Sequence, residues 1–237
     1  MNEDTSPTPM SRPAAPRRQS WPLFVVLVVA LAPAFASAQA VARFQWKREG
    51  AEPDCEVVTS AVAGKKYIAS KATCTINARL RAIREVLRDI PHYPTWMHDC
   101  AATTTLRVVD KANDVSVFWY RQHISILADR DIVLRSEVSH GNVDGKEWHS
   151  IVATSTNEVT YDAGKGYVRM PSFTSEWRLE EIDPEHTRVS FMIDPDLGEG
   201  LPLGLTNSLI AQMPFKSIRG LTRVLQQQDQ FLGSTKR

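Results

Sequence analysis

The 237-residue chain is predicted to be an α+β protein, a curved antiparallel β-sheet with one face covered by a long C-terminal helix. Three observations predict this. From Ala101 to Ile193 the chain is a run of β-branched and aromatic segments separated by turns, the pattern of an antiparallel meander. After Gly200 the apolar residues change to helical spacing. Strands that follow one another, with helices set apart from them, make an α+β architecture. An antiparallel sheet needs apolar cover on one face, and the terminal helix can supply it.

The elements follow in order. Arg12, Arg17 and Arg18 precede the apolar stretch "WPLFVVLVVALAPAF", which runs into "ASAQA". A basic head, a short apolar run and small residues at Ala36 and Ala38 form a secretory signal peptide, residues 1–38. The apolar run is shorter than the roughly 20 residues of a membrane span. A periplasmic or secreted location is therefore expected. Residues 1–38 hold three of the 28 basic and two of the 27 acidic residues, so the remaining chain carries 25 of each. A neutral chain argues against a nucleic-acid partner, which would want a basic surplus. Residues 41–237 are long enough for one domain with a sizeable core.

"FQWKREG" is a short amphipathic lead-in. "CEVVTS" and "YIASKATCTI" flank Ala63-Gly64 and suit a hairpin. Cys55 and Cys74 could face each other across it and bond, as export permits. The odd count of three, with Cys100, instead favours buried reduced thiols. Asn77 reads as the N-cap of "ARLRAIREVLRDI", in which Leu80, Ile83, Val86, Leu87 and Ile90 share a face. Arg81, Arg84 and Arg88 surround Glu85 on the solvated side, and Pro91 stops the helix. "HYPTWMHDC" is a tight turn with a short helix, anchored by Tyr93 and Trp96.

Six strands are expected from "TTLRVVD", "VSVFWYRQ", "IVLRSEVS", "EWHSIVATS", "YVRMPSFTSEWRLEEI" and "HTRVSFMI". The last helix carries Leu205, Leu209, Met213, Ile218, Leu221 and Leu225, with a kink or break at Pro214. The glycine-rich "DPDLGEGLP" before it reads as a hinge, with Pro202 suited to the first helical turn.

In order and spacing, "VVTSAVAGKKYIASKATCTINA", "YPTWMHDC", "VFWYRQ", "DRDIVLRS", "VRMPSFTSEWRLEE", "TRVSFMIDPD" and "LPLGLTNSLIAQMP" together resemble a StAR-related lipid-transfer (START) domain of the exported bacterial type, within the wider Bet v 1-like and polyketide cyclase superfamily. The resemblance covers nearly all of residues 41–237. It implies a helix-grip fold, with the sheet wrapped around the C-terminal helix and an apolar tunnel between them. It also implies binding or transfer of one lipid-like molecule. Many eukaryotic members place an arginine into the tunnel six residues after the arginine of their "RD" motif. Here that position is Ser136, and the nearest arginine, Arg135, lies one residue earlier. One step along a strand turns a side chain to the opposite face.

A tunnel takes its wall from alternate strand positions and one helix stripe. The candidates on strands are Phe118, Tyr120, Leu134, Ser136, Ile151, Met170, Phe173, Trp177 and Phe191. Leu205, Leu209 and Met213 would come from the helix. Arg169, Glu176 and Asn207 are candidate polar contacts, and Arg169 and Glu176 could pair with each other. The triplet Asp129-Arg130-Asp131 suits a loop-closing network in which the arginine forks to a carboxylate or to carbonyls.

No nucleophile elbow or zinc-binding helix motif is present, and the six histidines are scattered. No metal, cofactor or catalytic residue is expected. The expected function is binding and transfer of one lipid or other apolar molecule, gated by the last helix and its preceding loop, with transient contact to a membrane. The alternative is a cyclase- or hydrolase-like enzyme in the same tunnel, with Tyr120, His149 or Glu176 as its acid or base.

Overall fold

The structure is a computed structural model and describes residues 43–234, apart from 53, 125 and 126. The expected signal peptide lies outside the described residues. Ten strands form one sheet: β1 (Lys47–Glu52), β2 (Cys55–Ser60), β3 (Ala69–Ile76), β4 (Cys100–Asp110), β5 (Val115–Gln122), β6 (Asp129–Val143), β7 (Lys146–Ser155), β8 (Tyr167–Arg169), β9 (Ser172–Asp183) and β10 (His186–Asp196). Helix α1 (Leu80–Arg88) and a 3₁₀ turn (Ile90–Thr95) separate β3 from β4, and α2 (Leu203–Ser234) follows β10. The strand order is β1-β2-β3-β10-β9-β7-β6-β5-β4, with β8 added in parallel beside β6. All other pairs are antiparallel. Pairing β10 with β3 attaches the N-terminal hairpin to the meander, and α2 packs chiefly on β3, β10 and β2. This is the expected α+β helix-grip architecture.

Period-two alternation explains how the sheet covers its core. In β9, Phe173, Ser175, Trp177 and Leu179 are buried while Thr174, Glu176 and Arg178 lie on the other face. In β5, Phe118, Tyr120 and Gln122 face the core, whereas Val117 and Trp119 join Val133 in a small second cluster on the outer face. Leu80, Ile83, Val86 and Leu87 form the buried stripe of α1, as their spacing predicts.

Several local expectations are corrected. Cys55 and Cys74 are bonded, not reduced, because the β2–β3 register sets them directly opposite each other. Only Cys100 is free, and it is buried. In the chain-entropy view the 19-residue separation contributes roughly 3 kcal/mol by restricting the unfolded chain. The lead-in becomes a strand, β1, paired along β2. Asn77 does not cap α1: the N-cap is Arg79, which makes no side-chain capping bond. The single long strand expected at residues 167–182 is two, since Pro171 has no N–H to donate and the chain turns there from β8 beside β6 to β9 beside β7. Helix α2 runs through Pro214 without a break, losing one internal donor but keeping its packed face.

Candidate functional site

An apolar cavity lies between the concave face of the sheet and α2. The registers bring its wall together: Phe118 opposite Leu134, Ser136 opposite Ala153, Ile151 opposite Trp177 and Trp177 opposite Phe191. Trp177 and Phe191 stack with ring centroids 3.9 Å apart and planes 8° from parallel. Phe173 and Tyr120 continue the wall, and Met213 of α2 closes it. Nine of the twelve wall candidates therefore line one cavity. Four more residues join them: Tyr93, Met97, Ala153 and Ser175. Ala153 and Ser175 were detectable as the two-residue neighbours of Ile151, Phe173 and Trp177. Tyr93 and Met97 arrive from the turn before β4, for which period two gives no rule.

Three wall candidates are elsewhere. Met170 is buried but away from the cavity, its N–H donating to the Asp131 carbonyl. Leu205 and Leu209 remain 48% and 37% exposed on the outer side of α2. The inner side is Thr206, Ile210 and Met213. Thr206 can be buried because its hydroxyl donates to the Pro202 carbonyl one turn earlier. An apolar stripe drawn from leucines alone is thus rotated away from the true one.

The polar candidates lie away from the cavity. Arg169 grips Asp131, not Glu176, through two bonds of 2.9 and 2.8 Å, and Asp131 also accepts the Trp119 indole N–H at 2.8 Å. Glu176 accepts from the Ser150 hydroxyl at 2.8 Å and sits on the outer face. Asn207 accepts the Ile68 N–H through Oδ1, joining α2 to the chain before β3. Arg135 is on the outer face with Glu137 and Glu158, and Ser136 faces the cavity, as the one-residue offset and an unbroken β5–β6 register require. His149 is buried away from the cavity, its ring 5.3 Å from that of His140.

Burial, then Arg84, then His140 lower the His149 pKa, with Glu147 and Asp114 opposing them. The unfolded chain takes up this proton near pH 6.5 and the folded chain only at lower pH. The associated stability is therefore complete above about pH 6.5 and is lost as the pH falls towards the folded value. A denaturant midpoint followed from pH 7.5 to 5 should fall less in His149→Gln than in the parent protein. Equal slopes would remove this histidine as a source of acid sensitivity.

Among the described residues, no charged side chain lines the cavity. Its volume, about 30 Å³, is far below the several hundred Å³ of a small-molecule site. In this conformation the walls nearly meet. Beyond Ser136 and Ile151 lies a second hollow of about 220 Å³ between α1 and the β4–β5 hairpin, rimmed by the Arg88–Asp114 ion pair.

The loop from β10 to α2 is held in place by several bonds. Arg130, only 3% exposed, donates to the carbonyls of Ala128, Leu197 and Glu199. The Tyr67 hydroxyl donates to the Gly198 carbonyl. Buried Asp194 is paired with Lys65 at 2.7 Å and Arg43 at 2.8 Å. Gly198 and Gly200 have φ of 76° and 81°, left-handed conformations that suit glycine. Among the described residues no group of histidine, cysteine or acidic side chains could hold a metal.

Comparison with known proteins adds the following. The START domain family matches residues 29–230. An uncharacterized protein of Pseudomonas aeruginosa is 25% identical over 180 residues, covering 74% of this chain and 84% of its own. The crystal structure of a STAR-related lipid transfer protein fragment from Xanthomonas axonopodis superposes with a TM-score of 0.66 at 21% identity, over 76% of this chain and 98% of that one. Human StAR-related lipid transfer protein 5 gives 0.68 at 16% identity, over 82% and 94%.

Proposed function

For a chain that belongs to the START domain family, we propose binding and transfer of a single lipid or other apolar molecule in the cavity between the sheet and α2. The supporting observation is the cavity wall itself: a continuous apolar surface, drawn from five strands, a turn and a helix, with no charge on it. Binding there is driven by removal of apolar surface from water, at roughly 25 cal/mol per Å². A ligand burying about 400 Å² would gain on the order of 10 kcal/mol.

The opening step is movement of loop 197–202 and the start of α2 away from β6, with Gly198 and Gly200 as hinge points. Leu203, Leu205 and Leu209 are exposed beside this loop, and they make the apolar face that would touch a membrane during exchange. A binding role fits Tyr120 of the cavity wall, whose pKa burial raises well above the ordinary value, so that the phenol stays protonated and uncharged near neutrality. Export through the N-terminal signal peptide places the protein in the periplasm or outside the cell, and the Cys55–Cys74 bond is consistent with an oxidising compartment.

Native mass spectrometry of the protein purified from its own periplasm should show one co-purifying lipid-sized mass per chain. Stripped protein should then extract labelled lipid from vesicles. Protein that carries nothing and extracts nothing would overturn the proposal.

A further inference from the structure

The concave face continues past the apolar cavity into the second hollow, of about 220 Å³, and Ser136 and Ile151 line both. The strands carry this continuity. Ser116 is the inward position before Phe118 on β5, and Val138 the inward position after Ser136 on β6. The surroundings change along the way. Leu87 and Ile90 cover the hollow with apolar surface from α1 and the 3₁₀ turn. Ser116 and Ser136 stand opposite each other in the β5–β6 register, and their hydroxyls bond to no described residue. Four charged side chains, Arg88, Asp110, Lys111 and Asp114, form the rim. Three of them are already engaged. Arg88 pairs with Asp114 at 2.6 Å, and Asp110 accepts the Ala112 and Asn113 N–H groups and the Asn113 side-chain amide. Lys111 is exposed and has no partner among the described residues. The free charge at the rim is positive.

We propose that this hollow receives the anionic head group, a carboxylate or a phosphate monoester, of a single-chain amphiphile whose tail lies in the apolar cavity. This rests on the lipid-binding reading above and narrows its ligand class to single-chain acids. A single chain suits a cavity whose walls nearly meet, because it parts them least. The head cannot follow the tail inward, since a charge buried without a compensating partner is costly. In the hollow it stays near water: the Arg88 and Asp114 side chains at the rim are 41% and 29% exposed. The Ser116 and Ser136 hydroxyls can donate to the anionic oxygens, and bonds to a charged acceptor are stronger than neutral ones. Lys111 adds a point charge with three donors on a flexible stem, free to settle over the head from the rim. An ammonium head would meet Lys111 and Arg88 as like charges, while the rim carboxylates that could hold it are already bonded. A hydroxyl head would satisfy the serines and gain nothing from Lys111.

The test uses four probes with one tail and different heads: hexadecanoic acid, hexadecyl phosphate, 1-hexadecanol and hexadecylamine. Each pair competes for the stripped protein near neutral pH, read by native mass spectrometry. At least one of the two acids should bind about fivefold or more tighter than the alcohol and the amine, and the tighter of the two identifies the head. Lys111→Glu reverses an exposed charge that supports no fold contact, and it should cut that preference about 3- to 10-fold. Ser116→Ala should cut it about 2- to 10-fold, as loss of one hydrogen bond does. Alcohol binding should stay unchanged in Lys111→Glu. Equal binding of alcohol and acids, tightest binding of the amine, or a preference unaltered in both variants would overturn the inference while leaving lipid binding intact. Failure of every probe would instead overturn the lipid-binding reading on which it stands.

Discussion

Gly220→Val should lower the unfolding free energy by about 4 kcal/mol or more, the largest loss expected from a single substitution in α2. Glycine in mid-helix ordinarily costs about 1 kcal/mol against alanine, so its presence needs a packing reason. The reason is the Trp96 backbone carbonyl, which crosses the helix where a Cβ would stand. Both partners are backbone, so neither can yield by changing a rotamer. Trp96 follows the 3₁₀ turn that carries Tyr93 into the cavity wall, and its ring packs edge-on against Trp177. A displaced helix would therefore loosen the site as well as the fold. Urea denaturation of parent and variant measures the loss. A variant within about 1 kcal/mol of the parent would show that helix and turn can separate without penalty.

Arg130→Met should cost about 4 kcal/mol and accelerate ligand exchange at least tenfold. Methionine keeps much of the apolar stem and removes the guanidinium, leaving the carbonyls of Ala128, Leu197 and Glu199 without these donors. Each buried acceptor left unmade costs roughly 1–3 kcal/mol, with solvent relieving part of it. Two of the three carbonyls belong to the loop before α2, so the penalty falls on the closed position of that loop. Thermal unfolding gives the first quantity, and release of a fluorescent lipid to excess vesicles gives the second. Lower stability with unchanged release would sever the arginine from gating.

Much of the fold was legible because the sheet is a period-two object with strong turn signals. Phe118, Tyr120, Leu134, Ile151, Phe173, Trp177 and Phe191 follow from alternation and Ser136 from the family resemblance, and registers without slips at these positions keep them on the cavity face. The offset that put Ser136 inward and Arg135 outward follows from the same rule. The helix was harder. Thr206 and Ser217 are polar by type yet buried, and Leu205 and Leu209 are apolar yet exposed, so composition pointed to the wrong stripe. Arg169 was paired with the wrong acid because Pro171 breaks the strand, and β8 then lies beside Asp131.

The sequence by itself determined most of the strand and helix segments, the antiparallel meander, the inward residues of most strands and the apolar nature of the site. These depend on local spacing, which a one-dimensional pattern records. Only the tertiary structure decided the rotation of α2, the Cys55–Cys74 bond, the hold of Arg130 on the loop before α2 and the unpartnered hydroxyl of Tyr120 in the cavity wall. Each of these depends on which distant groups meet in three dimensions, and on whether a polar atom finds a partner there.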